Sequence, residues 1–186
     1  EAARRGNVEL VNLFIDHGVQ LNDPERDPSE ETPLHAAVDG DQRAMVVYLL
    51  ERGADIEATF GDCYSEACTV GTPLMLACRF GHVEIAKTLL GRGADPSHYD
   101  EGDYGALECA VKQYIENDDP DAARKKARQM ELVRLLCSDP RVDMAHENEC
   151  GDTVREALRT YYGKNPADPV HVAALEAALT AKRLKG

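Results

Sequence analysis

The fold class predicted for this chain is an all-α solenoid of stacked helical pairs, and three observations predict it. Residues 32–38 read Thr-Pro-Leu-His-Ala-Ala-Val, and residues 72–78 read Thr-Pro-Leu-Met-Leu-Ala-Cys. Each phrase is followed at the same distance by a second one, Leu49-Leu50-Glu51-Arg52-Gly53-Ala54-Asp55 and then Leu89-Leu90-Gly91-Arg92-Gly93-Ala94-Asp95. Aromatic residues make up only 5% of the chain and Trp is absent, which fits helices lined with alanine and leucine. Self-similarity at about 33 residues marks a repeat architecture, in which each unit buries its apolar face against its neighbours and there is no single central core.

The first unit, residues 1–23, is half present: Ala2-Ala3-Arg4-Arg5-Gly6-Asn7 matches the end of a first helix, and residues 8–15 form the second, closed by His17-Gly18. The chain is therefore expected to begin inside a repeat and to be part of a longer protein. The second unit, 31–60, has its inter-helix turn at Asp39-Gly40-Asp41-Gln42, read as glycine-assisted. In the third, 71–99, Thr72 opens a helix with Pro73 in its first turn, where a missing N–H costs nothing. Gly81-His82 makes the turn, and Val83, Ile85, Ala86, Leu89 and Leu90 face inward until Gly93 ends the helix in the left-handed conformation.

The fourth unit, 104–146, opens at Gly105-Ala106-Leu107-Glu108-Cys109-Ala110, 33 residues after Thr72. It carries a helical insertion near 115–129, with Asp118 or Asp119 as cap and Pro120 in the first turn. Its second helix is expected over 120–137, longer than its siblings and projecting. The fifth unit, 151–185, starts at Gly151-Asp152-Thr153 and ends in an alanine-rich helix over 169–184, irregular as a terminal cap must be.

These phrases, their spacing and the glycine positions resemble the ankyrin repeat over nearly the whole chain. The resemblance implies finger loops between units, a concave side formed by the first helices, and a protein-binding role without chemistry of its own. It also implies that His35 hydrogen-bonds within and between repeats, and that Met75, in its place one unit later, removes that link. Asn22 is the one asparagine at its finger position; Glu57, Ser97 and Ala145 hold the others.

The net charge of −13 argues against nonspecific binding of the whole chain to nucleic acid or anionic membrane. Cys78 and Cys109 sit at helix positions that suit buried thiols. Cys63 and Cys68, even with Cys78 and His82, do not make a standard zinc spacing. Pairs such as Cys78/His82 or Asp16/His17 lack a third orienting group, and no glycine-rich phosphate loop follows a strand. No catalytic residue, metal or cofactor is expected. The basic runs Lys125-Lys126-Ala127-Arg128 and Lys182-Arg183-Leu184-Lys185 read as solvated helix faces before they read as import signals.

On the implied geometry, the two residues before each inter-helix turn face the groove: Arg4-Arg5, Asp39-Gly40, Arg79-Phe80, Lys112-Gln113 and Thr160-Tyr161. Three of these five pairs carry positive charge and no acid. The fingers are acidic, with Glu30, Glu31, Asp62, Glu66, Asp100, Glu101 and Asp103 beside Tyr64 and Tyr104. Arginine and aromatic side chains dominate binding hot spots. The expected site is therefore Arg79, Phe80 and Lys112 at the centre. Arg4, Arg5 and Asp39 extend it, and Gln113, Tyr161, Tyr64 and Tyr104 contribute from the flanks. Phe60 is expected to pack its loop onto a neighbouring repeat. The expected partner is another protein or peptide segment, not nucleic acid or membrane, met by a monomer inside the cell, in cytoplasm or nucleus. Two alternatives are a targeting domain of a larger enzyme or effector, and a basic projecting helix that binds an acidic surface or nucleic acid.

Overall fold

The computed structural model describes residues 1–23, 27, 30–61, 71–99, 104–112, 120–147, 151–164 and 169–181, without the side chains of 161–164, 169–171 and 181. Among the described residues there are nine α-helices and no strand longer than an isolated bridge. They are α1 (Val8–Asp16), α2 (Pro33–Asp39), α3 (Arg43–Glu51), α4 (Pro73–Phe80), α5 (Val83–Gly91), α6 (Ala106–Val111), α7 (Ala122–Ser138), α8 (Val154–Lys164) and α9 (Pro169–Ala181). The chain divides into two compact units, residues 1–77 with 84–95, and residues 78–83 with 96–186.

The repeated phrase is a helix-starting device. Thr32 caps α2: its hydroxyl oxygen accepts the His35 N–H at 3.2 Å, and Pro33 occupies the first turn. His35 is fully buried, and its Nε2–H donates to the Gly71 carbonyl at 3.0 Å, tying α2 to the start of the next helical pair. A carbonyl only accepts, so Nε2 holds the proton, and in the neutral ring Nδ1 accepts from the Thr32 hydroxyl at 2.7 Å. Met75 repeats only the first part of this, donating its backbone N–H to Thr72 Oγ1 at 3.4 Å. Phe60 lies against His35, ring centroids 5.4 Å apart.

The inter-helix turn corrects one expectation. Asp41, with φ +53°, holds the left-handed position that Gly81 holds with φ +75° in the next unit. Gly40 is not the left-handed residue; it is needed because a Cβ there would lie 2.0 Å from the Arg4 carbonyl oxygen. Gly93 has φ +98° after α5, the expected left-handed exit.

The core of the first unit is Leu34, Ala37, Val38, Met45, Val46, Leu49, Leu74, Ile85, Ala86 and Leu89, all essentially inaccessible. The second helices are also cross-linked by polar contacts: Arg43 to the Thr88 hydroxyl at 3.1 Å and Arg92 to Glu51 at 3.2 Å. Asn22 clamps the following finger, donating to Gly53 O at 2.7 Å and accepting from Asp55 N–H at 2.8 Å. Glu57 does half of this one unit later: its Oε1 accepts from Asp95 N–H at 2.7 Å, and its Oε2 is buried without a partner. A carboxylate cannot supply the donor that the asparagine amide has. In α1, Leu10 and Phe14 sit at the positions of Met45 and Leu49 yet are 37% and 47% exposed.

In the second unit α7 packs on α6 and α9, and α8 packs on α6 and α9. The sequence places the start of α7 at Pro120 with Asp118 or Asp119 as cap. The helix instead starts at Ala122 after Asp121, and residues 118 and 119 lie outside the described residues. Its length of 17 residues is the greatest of the nine described helices. Gln129 is fully buried, and both its Nε2 hydrogens are used, on Ala110 O at 3.0 Å and Val111 O at 2.9 Å. These are carbonyls of the last turn of α6, which have no partner within the helix itself. Thr153 and Glu156 form a capping box at α8. Glu156 Oε2 accepts from Thr153 N–H at 2.9 Å, and Thr153 Oγ1 from Glu156 N–H at 3.5 Å.

Candidate functional site

The candidate surface forms where the first helices of successive pairs run out. In α4, Ala77 and Cys78 complete the buried stripe, and the next two residues, Arg79 and Phe80, emerge into solvent. Phe80 is 46% exposed, and its ring leans on His82 with centroids 5.9 Å apart. Among the described residues the other exposed large apolar side chains, Leu10, Leu13, Phe14 and Val19, all belong to α1 and the turn after it. Leaving half of a phenyl ring in water forgoes on the order of 1 kcal/mol of burial.

In α6 the opening phrase has lost its threonine, and Gly105 offers no capping oxygen. Glu108 compensates: its Oε2 accepts the Gly105 N–H at 3.1 Å, the reciprocal half of a capping box. Burial pushes the Glu108 carboxyl above its ordinary range, opposed by the backbone N–H groups of Glu108 and Gly105 and by nearby His146 and Lys112. The helix ends at Lys112, whose N–H donates to Glu108 O at 2.9 Å. The Lys112 ammonium rests 3.5 Å from the centroid of the Tyr104 ring, a cation–π contact that fixes a flexible charge in one place. Phe80, Arg79, Tyr104 and Lys112 all belong to the second unit.

The first unit arranges its predicted residues differently. The Arg4 guanidinium donates to both Glu31 oxygens, at 3.0 and 2.8 Å, and pairs with Asp39 at 2.5 Å. The bond to Glu31 is the main cause that holds Arg4 above its ordinary value. Arg5 pairs with Glu1 at 2.6 Å. The sequence places Glu31 on a finger edge apart from the Arg4-Arg5 floor; the structure closes the three acids onto the two arginines. Tyr64 and Gln113 lie outside the described residues, as do Cys63, Cys68 and the side chain of Tyr161.

Burial drives the Cys78 thiol well above its ordinary value, the opposite of an activated nucleophile. His17 Nδ1 is held by the Leu13 carbonyl at 2.7 Å at the end of α1. No group of three or more His, Cys, Asp or Glu side chains among the described residues is placed to hold a metal ion. No helix among them is long and apolar enough to cross a membrane. Two features were not read from the sequence. Gln129 shows only as a polar residue inside the apolar stripe of α7, and the Lys112–Tyr104 pair, eight residues apart, has no sequence pattern.

Comparison with known proteins accords with this architecture. The family model described as Ankyrin repeats (3 copies) matches residues 1–60, and the model described as Ankyrin repeat matches residues 71–101. Ankyrin repeat and SOCS box protein 11 of Danio rerio is 39% identical over 117 residues, 63% of this chain and 36% of that protein. Palmitoyltransferase Hip14 of Drosophila melanogaster is 32% identical over 96 residues, 52% of this chain and 14% of its own length. Ankyrin repeat and KH domain-containing protein mask-1 of Caenorhabditis elegans is 26% identical over 167 residues, 86% of this chain and 6% of its own length. The chain thus spans little more than a third of the first of these relatives and less of the others. The doubled helix-opening phrase, the histidine link from α2 to the next pair and both family matches agree: the chain belongs to the ankyrin-repeat family.

Proposed function

We propose that this chain is a protein-interaction module with no catalysis of its own, which holds a peptide segment of its partner on the second-unit surface of Arg79, Phe80, Tyr104 and Lys112. The observation that carries this is Phe80, a half-exposed aromatic next to a cation and in the same unit as an ammonium fixed on a tyrosine ring. An exposed aromatic beside oriented cations is the side-chain combination richest in binding energy. The segment that suits it has an apolar or aromatic anchor for Phe80 and carboxylates for Arg79 and Lys112. Lys112 already sits on Tyr104, so its ordering entropy is lost before binding and not during it.

In the first unit, Arg4 is matched by Glu31 and Asp39, so that surface offers mixed charge and suits a partner's polar groups. Arg5 stands beside it, and Gln113, Tyr64 and Tyr161 belong to the proposal on sequence register alone. The relatives support a binding role. Their names specify a SOCS box protein, a palmitoyltransferase and a KH domain-containing protein, and the matched repeats are what they share. The repeats serve a targeting role in the same way if a catalytic domain lies elsewhere in the protein.

The test compares the wild-type chain with Arg79→Glu/Phe80→Asp/Lys112→Glu. Both are checked for equal unfolding midpoints, and then both are used to capture partners from native lysate. A partner captured by the wild type alone, and protecting the amides around 79–82 and 104–112 from hydrogen exchange, supports the assignment. Equal capture by both chains refutes it.

A further inference from the structure

The fifth unit breaks the repeated phrase at one core position. Two residues after Thr32, Thr72 and Gly105, which open α2, α4 and α6, stand Leu34, Leu74 and Leu107; two after Thr153, which opens α8, stands Arg155. The three leucines are only 1–2% exposed. Arg155 is half-buried and lines a surface cavity of about 530 Å³, bounded by residues 142–145, the start of α8 and Leu179 of α9, all within the second unit. Val142, Val154 and Leu179 give this cavity a buried apolar floor.

Among the described residues no carboxylate lies within ion-pairing distance of Arg155. Its Nη2–H donates to the Thr180 hydroxyl at 3.3 Å, a neutral acceptor at the long end of hydrogen-bonding distance. Its Nε–H is buried and has no acceptor. The other charged groups of the lining are already held. Arg159 pairs with Glu176 at 2.8 Å. Asp143 Oδ1 accepts the Ala145 N–H at 2.8 Å, and Glu156 Oε2 accepts the Thr153 N–H and hydroxyl at 2.9 and 2.7 Å. The Thr153 bonds, then Arg159 and last Arg155 hold the Glu156 carboxyl below its ordinary range. A guanidinium with an unmatched buried N–H destabilises the stack at a place where a leucine would complete it.

We propose that this cavity is a second binding site, which takes the free C-terminus of a peptide whose last side chain is apolar. A carboxylate matches the planar fork of N–H groups on a guanidinium. In a chain end the carboxylate and the last side chain leave the same carbon, so one residue meets both Arg155 and the apolar floor. A glutamate carries its carboxylate on a flexible stem and needs a second residue for the floor. The rim at Asp143, Ala145, Glu156 and Arg159 is exposed, so the rest of the peptide leaves through solvent, whereas a small free acid needs closer enclosure. Asp143 and Glu156 on that rim disfavour further acids and suit a lysine shortly before the end. This assignment does not depend on the Phe80 surface.

Fluorescence anisotropy tests it with three amino-terminally labelled hexapeptides. One is Gly-Ser-Gly-Lys-Val-Leu with a free carboxylate, the second is its C-terminal amide, and the third is Gly-Lys-Glu-Leu-Gly-Ser amide, which carries its carboxylate internally. The free acid is expected to bind about tenfold or more tighter than either amide. Arg155→Leu is expected to melt no lower than wild type and to weaken the free acid by about tenfold or more. Arg155→Gln, which keeps a donor for Thr180, is expected to weaken it as much, and it becomes the deciding variant if Arg155→Leu melts lower. Phe80→Asp leaves the affinity unchanged. No measurable binding of the free acid by the wild type, equal binding of its amide, tighter binding of the internal-glutamate peptide, or undiminished binding by Arg155→Gln would each overturn the proposal.

Discussion

At the scale of single residues, stability concentrates in a few buried polar links. His35 closes a relay from Thr32 to Gly71, and the chain itself contains the variant that lacks it, Met75. His35→Met is expected to cost about 1–2 kcal/mol in urea unfolding, because the Gly71 carbonyl retains its other bond, from Phe60 N–H at 3.2 Å. Gln129→Leu removes both donors at once and strands two carbonyls, so the same assay should read about 2–3 kcal/mol. Glu57→Asn runs the other way. It supplies the amide donor that Asn22 has, removes a buried unpartnered oxygen, and should raise stability by about 0.5–1 kcal/mol. The position of His35 was legible in the Thr-Pro-Leu-His phrase, because a threonine cap with a proline beside it fixes where the helix starts and hence its register. Gln129 was not, since its carbonyl partners lie 18 and 19 residues away, beyond an insertion whose path no local pattern encodes.

Among the elements, the helical pairs share a register, and the same position carries different energy in each. Leu49 and Phe14 are equivalent in α3 and α1, yet Leu49 is inaccessible and Phe14 is about half exposed. Leu49→Ala is expected to cost about 3–4 kcal/mol and Phe14→Ala under about 1 kcal/mol, both by denaturant titration. The two turn residues of the second repeat divide the work that a glycine pair would share. Asp41→Gly should stabilise by about 0.5–1 kcal/mol by relieving a left-handed non-glycine, whereas Gly40→Ala should destabilise because its Cβ would meet the Arg4 carbonyl. Helix boundaries followed from caps wherever threonine and proline remained. In α7, where the sequence offers Asp118, Asp119 and Asp121, choosing among them required the packed helix.

For the whole molecule, pH reports on one buried carboxyl. Burial raises Glu108, so the folded state holds this proton more tightly than the unfolded chain does. Its contribution is then largest below the unfolded carboxylate range and is lost as pH rises through the raised value. Glu108→Gln retains a carbonyl oxygen for the Gly105 N–H and should be more stable than wild type at neutral pH, with the difference shrinking on acidification toward pH ~4.5. Glu1, Glu84 and Glu156 are shifted downward by bonds to Arg5, Lys87 and Thr153 and work in the opposite sense, but all three are exposed and contribute little. Urea midpoints of wild type and variant across that range check the sign.

The sequence by itself determined the repeat, the helical pairs, the residues that start and stop most of them, and the family. Each of these rests on interactions within a few residues, or on a spacing that recurs along the chain. Through the resemblance it also pointed to Phe80 as an outward-facing residue, and that side chain is 46% exposed. Only the tertiary structure decided how the charges are used. Arg4 is matched by Glu31 and Asp39, 27 and 35 residues away, Lys112 is seated on Tyr104, and Gln129 ties α7 to the last carbonyls of α6. Ion pairing and cation–π contacts depend on a few ångströms of separation between helices, a distance that stacking fixes and one-dimensional spacing does not.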